Sequence, residues 1–125
     1  METSVKVSSS PNIPEIERFL AKTKFSGYQS LPLPGGYEIP GKDRSRRADQ
    51  VLANHVDGKS VLDVGTHYGY FAWEAVQRGA TRVTGLEIDE RYYDVAQQAA
   101  KFHDDRYNIL LGSVERLSLE DDFDV

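Results

Sequence analysis

Val61-Leu62-Asp63-Val64-Gly65-Thr66-His67-Tyr68-Gly69-Tyr70-Phe71 is the stretch on which the reading of this chain turns. A short run of apolar, mostly β-branched residues ends in an acid and then in two glycines four residues apart. Such a run reads as a strand. Gly65 lets the chain leave the strand through backbone angles that other residues resist, and Gly69 lets a following helix start close to ligand and sheet. The N–H groups at a helix start favour an anionic group. Twenty-two residues past Gly65 a second apolar run ends in another acid, Glu87. An acid at that separation, on the tip of the next strand, can accept hydrogen bonds from both ribose hydroxyls. Taken together, the two motifs specify a nucleoside-bearing cofactor.

The flanking sequence repeats the same unit. Ser60–Val64 reads as a strand and residues 68–78 as a helix stopped by Gly79. Residues 82–87 read as a second strand, and Asp89 caps a helix that carries Tyr92, Ala96, Ala99 and His103 on one face. Residues 107–111 read as a third strand. Strands alternating with helices imply an α/β Rossmann-like parallel sheet with flanking helices. Phe123-Asp124-Val125 looks like the opening of a fourth strand, which in such sheets inserts beside the first. The fold is therefore expected to be truncated at the start of the fourth strand, because three strands alone would leave a long parallel edge unpaired. The acids at 120–122 and Asp124 read as a solvated turn before it.

Ahead of this core, residues 1–42 read as an N-terminal helix and irregular segment, and residues 43–125 as a partial Rossmann-like cofactor-binding domain. Residues 1–11 are expected to fray. Pro14 suits a helix first turn, with Ile16, Phe19 and Leu20 as its apolar face and an end near Lys24. Residues 25–42 hold Pro32, Pro34 and Pro40 with four glycines. Loops of that length are often lids or binding segments. Asp43 is placed to cap a further helix, with Ala48, Val51, Leu52, His55 and Val56 as its apolar face and Gly58 as its stop.

Bulk composition narrows the classes. The chain has 125 residues, 39% hydrophobic and 28% charged, as a globular domain with a modest core would. A net charge of −5 argues against broad attraction to nucleic acid or an anionic membrane. With no cysteine there are neither disulfides nor thiolate metal sites, and a reducing, cytoplasmic location is expected. The three histidines are too dispersed for a metal site, and none is expected. No apolar run reaches the ~20 residues of a membrane helix.

Asp63-Val64-Gly65-Thr66-His67-Tyr68-Gly69, Gly85-Leu86-Glu87-Ile88-Asp89 and Gly112-Ser113-Val114-Glu115-Arg116-Leu117 resemble the first three motifs of the class I S-adenosylmethionine-dependent methyltransferases. The resemblance runs from about residue 46 to Val125. It implies S-adenosyl-L-methionine as cofactor and transfer of its methyl group to an acceptor. It also implies that Asp63, Gly65, Thr66 and His67 line the methionine end, and that Gly69 permits close approach. Glu87 would hold the ribose, Ile88 would pack on the adenine, and Ser113 with the backbone of Val114 would meet the adenine edge. Two positions depart from the pattern. His67 stands where the family usually has a glycine, although histidine is among the residues that tolerate positive φ. Ser113 stands where the family often has an aspartate, so a hydroxyl replaces a charged acceptor. No catalytic residue is assigned, since in this family the groups touching the nucleophile mostly follow the fourth strand.

Two other readings stay open. One is a non-catalytic nucleoside-cofactor-binding module. The other is a nicotinamide-dependent oxidoreductase, which fits less well because the spacing is G-x-x-x-G rather than G-x-G-x-x-G. The acceptor is open between a small molecule and tRNA. The tRNA reading rests on a weak likeness of Gly41–Arg47, Trp73 and Glu74 to the tRNA wobble-uridine carboxymethyltransferases. Lys42, Arg44, Arg46 and Arg47 form a basic cluster that could hold a phosphate or carboxylate of the substrate.

Overall fold

The computed structural model describes residues 12–116 and 123–125. Residues 1–11, Leu117 and the acids at 120–122 lie outside the described residues. Helix α1 (Ile13–Lys22) starts where the sequence places it: Asn12 accepts the Glu15 N–H at 3.1 Å through its side chain, with Pro14 in the first turn. Its buried residues are Ile16 and Phe19, and the Phe19 ring packs edge-on against Phe25 and Phe102.

The proline-rich segment is more ordered than its composition suggests. Leu31–Pro32 (β1) pairs antiparallel with Glu38–Ile39 (β2) around a 3₁₀ turn at Pro34–Gly36. Leu31, Leu33 and Ile39 are buried in one hydrophobic cluster with α1 and the residues that follow. The next helix, α2 (Ser45–Val51), is shorter than its apolar pattern predicts. The chain leaves the helical path at Ala53, where φ is 44°. Ala48, Leu52 and Val56 are buried, whereas Val51 and His55 are exposed, so His55 is not the packed core histidine that the helical spacing suggested. Asp43 still serves the helix start by accepting the Ser45 N–H at 2.8 Å, one residue ahead of the cap position.

The core is a parallel sheet, β3 (Ser60–Val64), β4 (Arg82–Glu87) and β5 (Asn108–Leu111), in the order β3-β4-β5. Helix α3 (Tyr70–Gln77) links the first pair and α4 (Glu90–Phe102) the second. Register runs Val61↔Val83 and Gly85↔Ile109, so Val64, Glu87 and Leu111 end at the same side of the sheet. β4 is central, and five of its six residues are buried, as a strand covered on both faces requires.

The free edge of β3 is met by the chain end. Val125 donates to Ser60 O at 3.0 Å, and Leu62 donates to Val125 O at 2.8 Å, the alternation of a parallel neighbour. Residues 124 and 125 thus run beside the first strand of the sheet, where the sequence pattern places the opening of a fourth, without forming a strand of their own. Asp124 is not merely solvated: its carboxylate accepts the Ser60 N–H and hydroxyl, which holds it below the usual carboxylate range. Among the described residues no helix is long and apolar enough to cross a membrane.

Candidate functional site

The C-terminal tips of β3, β4 and β5 are laced together. Gly65 and Thr66 N–H both donate to Leu86 O, at 2.8 and 3.0 Å, and Gly112 N–H donates to Glu87 O at 2.9 Å. Gly65 turns the chain at φ 72°, and His67 follows at φ 58°, in the left-handed region that histidine tolerates. Gly85, beneath the bend, supplies a close approach: a Cβ there would sit 2.7 Å from Thr66 Oγ1 and 2.9 Å from Thr66 Cβ. Thr66 is buried, and its hydroxyl donates to Asp63 Oδ2 at 2.6 Å. Burial raises the Asp63 carboxyl to about 6, against the lowering effect of that hydrogen bond.

Glu87 is buried at the tip of β4. Oε1 accepts the His67 N–H at 2.7 Å, and Oε2 accepts the Asp89 N–H at 2.9 Å. The acid and the glycine bend therefore lie side by side and are bonded to each other. Each carboxylate oxygen retains acceptor capacity for a further donor.

The helix start is satisfied from within the chain. Gln29, 2% exposed, accepts the N–H groups of Tyr68 and Tyr70 at 3.1 Å each. Together with the His67 bond to Glu87, this occupies donors that the sequence reading left available to an anion. Gln29 escaped that reading because it lies 39 residues from Tyr68, in the proline-rich segment; the only sequence signal was the length of that loop. Gly69 begins α3 at φ 95°, and its open side faces Tyr107 and Ile109 of the core.

His67 is buried in an aromatic surround. The rings of Tyr68 and Tyr92 lie 4.1 Å away and that of Tyr28 4.8 Å. Its Nε2 is 3.3 Å from Ser26 Oγ, and its Nδ1 has no hydrogen-bond partner among the described residues. Burial lowers its pKa, outweighing the pull of Glu87 and Asp89. His103 is tied elsewhere, with Nδ1 2.8 Å from Tyr107 Oη and Nε2 2.8 Å from Pro32 O.

Apolar side chains stand exposed at the same sheet end: Ile88 is 72% exposed and Val114, in a 3₁₀ turn after β5, is 52% exposed. Ser113 is partly buried between Gly112 and that turn. The predicted residues from Asp63 to Val114 are thus gathered along the three tips. They fit a nucleoside cofactor: a buried carboxylate stands beside exposed apolar side chains, and a buried imidazole nitrogen at the bend lacks a partner among the described residues.

The comparisons with known proteins agree with this fold. A family model described as a methyltransferase domain matches residues 61–125. Among solved structures, protein arginine methyltransferase 10 of Arabidopsis thaliana is 35% identical, over 62% of this chain and 23% of that chain, with a TM-score of 0.55. The N-terminal domain of EvdMO1, solved in the presence of SAH and D-fucose, is 20% identical, over 94% of this chain and 52% of that chain, with a TM-score of 0.70. A candidate RNA methyltransferase from Pyrococcus horikoshii is 22% identical, over 86% and 55% of the two chains, with a TM-score of 0.54. The chain thus spans between about a quarter and just over half of these structures. No curated protein matches it. The family model covers more than half of the sequence, and the chain belongs to the class I S-adenosylmethionine-dependent methyltransferases, whose cofactor is S-adenosyl-L-methionine.

Proposed function

We propose that the chain carries the cofactor-binding part of an enzyme that moves a methyl group from S-adenosyl-L-methionine to an acceptor. The observation that carries this reading is the adjacency of the Gly65 bend and the Glu87 carboxylate, joined by the 2.7 Å bond to His67 N–H. When bound, the cofactor supplies an electrophilic methyl carbon on a sulfonium. The chain's own residues bind and align it. Glu87 accepts from the ribose hydroxyls, Ile88 covers one adenine face, and Ser113 with the Val114 backbone meets the adenine edge. Asp63, near the bend, suits the ammonium of the methionine end, and the Thr66 hydroxyl fixes that carboxylate in place. His67 and Gly65 line the same end. Alignment and exclusion of water are the main contributions a protein makes to an in-line displacement.

The acceptor is read as a small molecule rather than tRNA, because a net charge of −5 disfavours a polyanion. The absence of cysteine supports a cytoplasmic setting. Isothermal titration of the full chain tests the reading. Binding of S-adenosylmethionine and S-adenosylhomocysteine, with none of NAD, supports it. Binding of NAD alone would favour the oxidoreductase, and cofactor binding without methyl transfer to any acceptor would favour the non-catalytic module.

A further inference from the structure

Two clefts adjoin between α2 and α3. One, of about 290 Å³, is lined by Arg47, Leu52, Val61, Asp63, Phe71 and Val125 among others. The second, of about 380 Å³, is lined by Tyr28, Arg44, Arg47 and Phe71. Arg47 and Phe71 belong to both. The volumes suit a small molecule. The proposed nucleoside path runs across the tips of β3, β4 and β5, whereas the first of these clefts lies against the other edge of β3, where Val125 pairs with it. The two regions meet at Asp63 and at Tyr28, whose ring lies 4.8 Å from that of His67.

The cations in the second cleft are unequal. Arg44 is fixed: its Nε and Nη2 donate to Tyr28 O at 3.1 and 2.8 Å, and its guanidinium lies 4.4 Å from the Tyr28 ring centroid. Arg47 is exposed and makes no ion pair or hydrogen bond among the described residues. A guanidinium with no partner among the described residues, beside a fixed one and between a tyrosine and a phenylalanine, is suited to a flat or apolar body carrying a compact anion. The overall negative charge of the chain makes this positive spot local, so it selects a small anion rather than an extended polyanion.

We propose that the Tyr28–Arg44–Arg47–Phe71 cleft holds a methyl acceptor bearing a phosphate or carboxylate, with Arg47 as the anion's principal partner. The inference rests on the methyltransferase reading above. It places the acceptor's reactive end toward Asp63 and the cofactor methyl, and its anion toward α2.

The test titrates the full chain, first free and then saturated with S-adenosylhomocysteine, with phenyl phosphate, benzoate and phenol, followed by amide chemical shifts. Phenyl phosphate or benzoate is expected to bind at least about tenfold more tightly than phenol. Arg47→Gln is expected to weaken that binding about tenfold while S-adenosylhomocysteine affinity stays within about twofold. A preference for phenyl phosphate over benzoate identifies a phosphate acceptor, and the reverse a carboxylate. Binding insensitive to Arg47→Gln overturns the proposal. So does binding that disappears when S-adenosylhomocysteine is added, which would assign the cleft to the cofactor's own carboxylate. Cofactor binding with no binding of either anion overturns this inference alone, whereas absence of cofactor binding overturns the methyltransferase reading and this inference with it.

Discussion

Glu87 and His67 are joined at the tips of neighbouring strands: the His67 N–H donates to Glu87 Oε1 at 2.7 Å. The carboxylate proposed to hold the ribose is thus also the group that fixes the glycine bend, and its other oxygen sets the start of α4 through Asp89 N–H. Binding and local folding share one side chain.

Glu87→Gln separates them only partly. Glutamine keeps one acceptor but turns an amide NH₂ toward the second backbone donor. The expected cost is about 1–3 kcal/mol of stability, together with a cofactor affinity about tenfold lower or worse. Urea unfolding and isothermal titration measure the two. Wild-type values in both would remove Glu87 from the site and from the bend.

Ile88→Ala isolates the binding role. The side chain is 72% exposed, so its truncation should leave the urea midpoint unchanged. Losing its apolar contact with adenine should cost about 1 kcal/mol, near fivefold in S-adenosylhomocysteine affinity. Unchanged affinity would take Ile88 out of the adenine contact.

Asp63→Asn should stabilise the protein above pH 6 and weaken cofactor binding. Burial raises the folded-state carboxyl from 3.8 to about 6, so the native state holds its proton longer than the unfolded chain does. Stability therefore falls as pH rises from about 4 to about 6, and the penalty is fully present above that window. Asparagine carries no charge to desolvate and can still accept the Thr66 hydroxyl. Urea unfolding at pH 8 should show a gain of about 1–2 kcal/mol, discounted for partial exposure, that shrinks toward zero near pH 4. A gain independent of pH would assign the effect to packing instead.

Gln29→Ala leaves the Tyr68 and Tyr70 N–H groups without their acceptor at the start of α3. A loss of about 1–2 kcal/mol is expected, with weaker cofactor binding as the bend loosens. Gln29→Glu, which keeps the accepting oxygen, should restore much of both. Failure of the glutamate to rescue would mean that packing, not capping, is Gln29's contribution.

What the sequence made legible was local. Each βα unit could be read because strand runs, Asp89 at a cap and glycines at helix stops act within a few residues. The positions of Gly65, Glu87 and Ser113 at one sheet end follow from parallel connectivity alone. The contacts that close the site span long separations. Gln29 to Tyr68, Ser26 to His67 and Arg44 to Tyr28 arise from a proline-rich segment whose two-residue strands have no periodicity to detect. His55 misled for a related reason. Helical spacing placed it inward, but the chain turns at Ala53 before the helix reaches it.

The central claim is that the Gly65 bend and the Glu87 strand tip grip one adenosyl cofactor from its two ends. It is tested most directly by NMR on isoleucine-methyl-labelled full chain saturated with S-adenosylhomocysteine. The account predicts nuclear Overhauser contacts between the adenine protons and the Ile88 methyl, with the Gly65 and His67 amides shifting in the same titration. A saturated complex in which adenine contacts no Ile88 methyl, or in which those two amides stay in place, would contradict it.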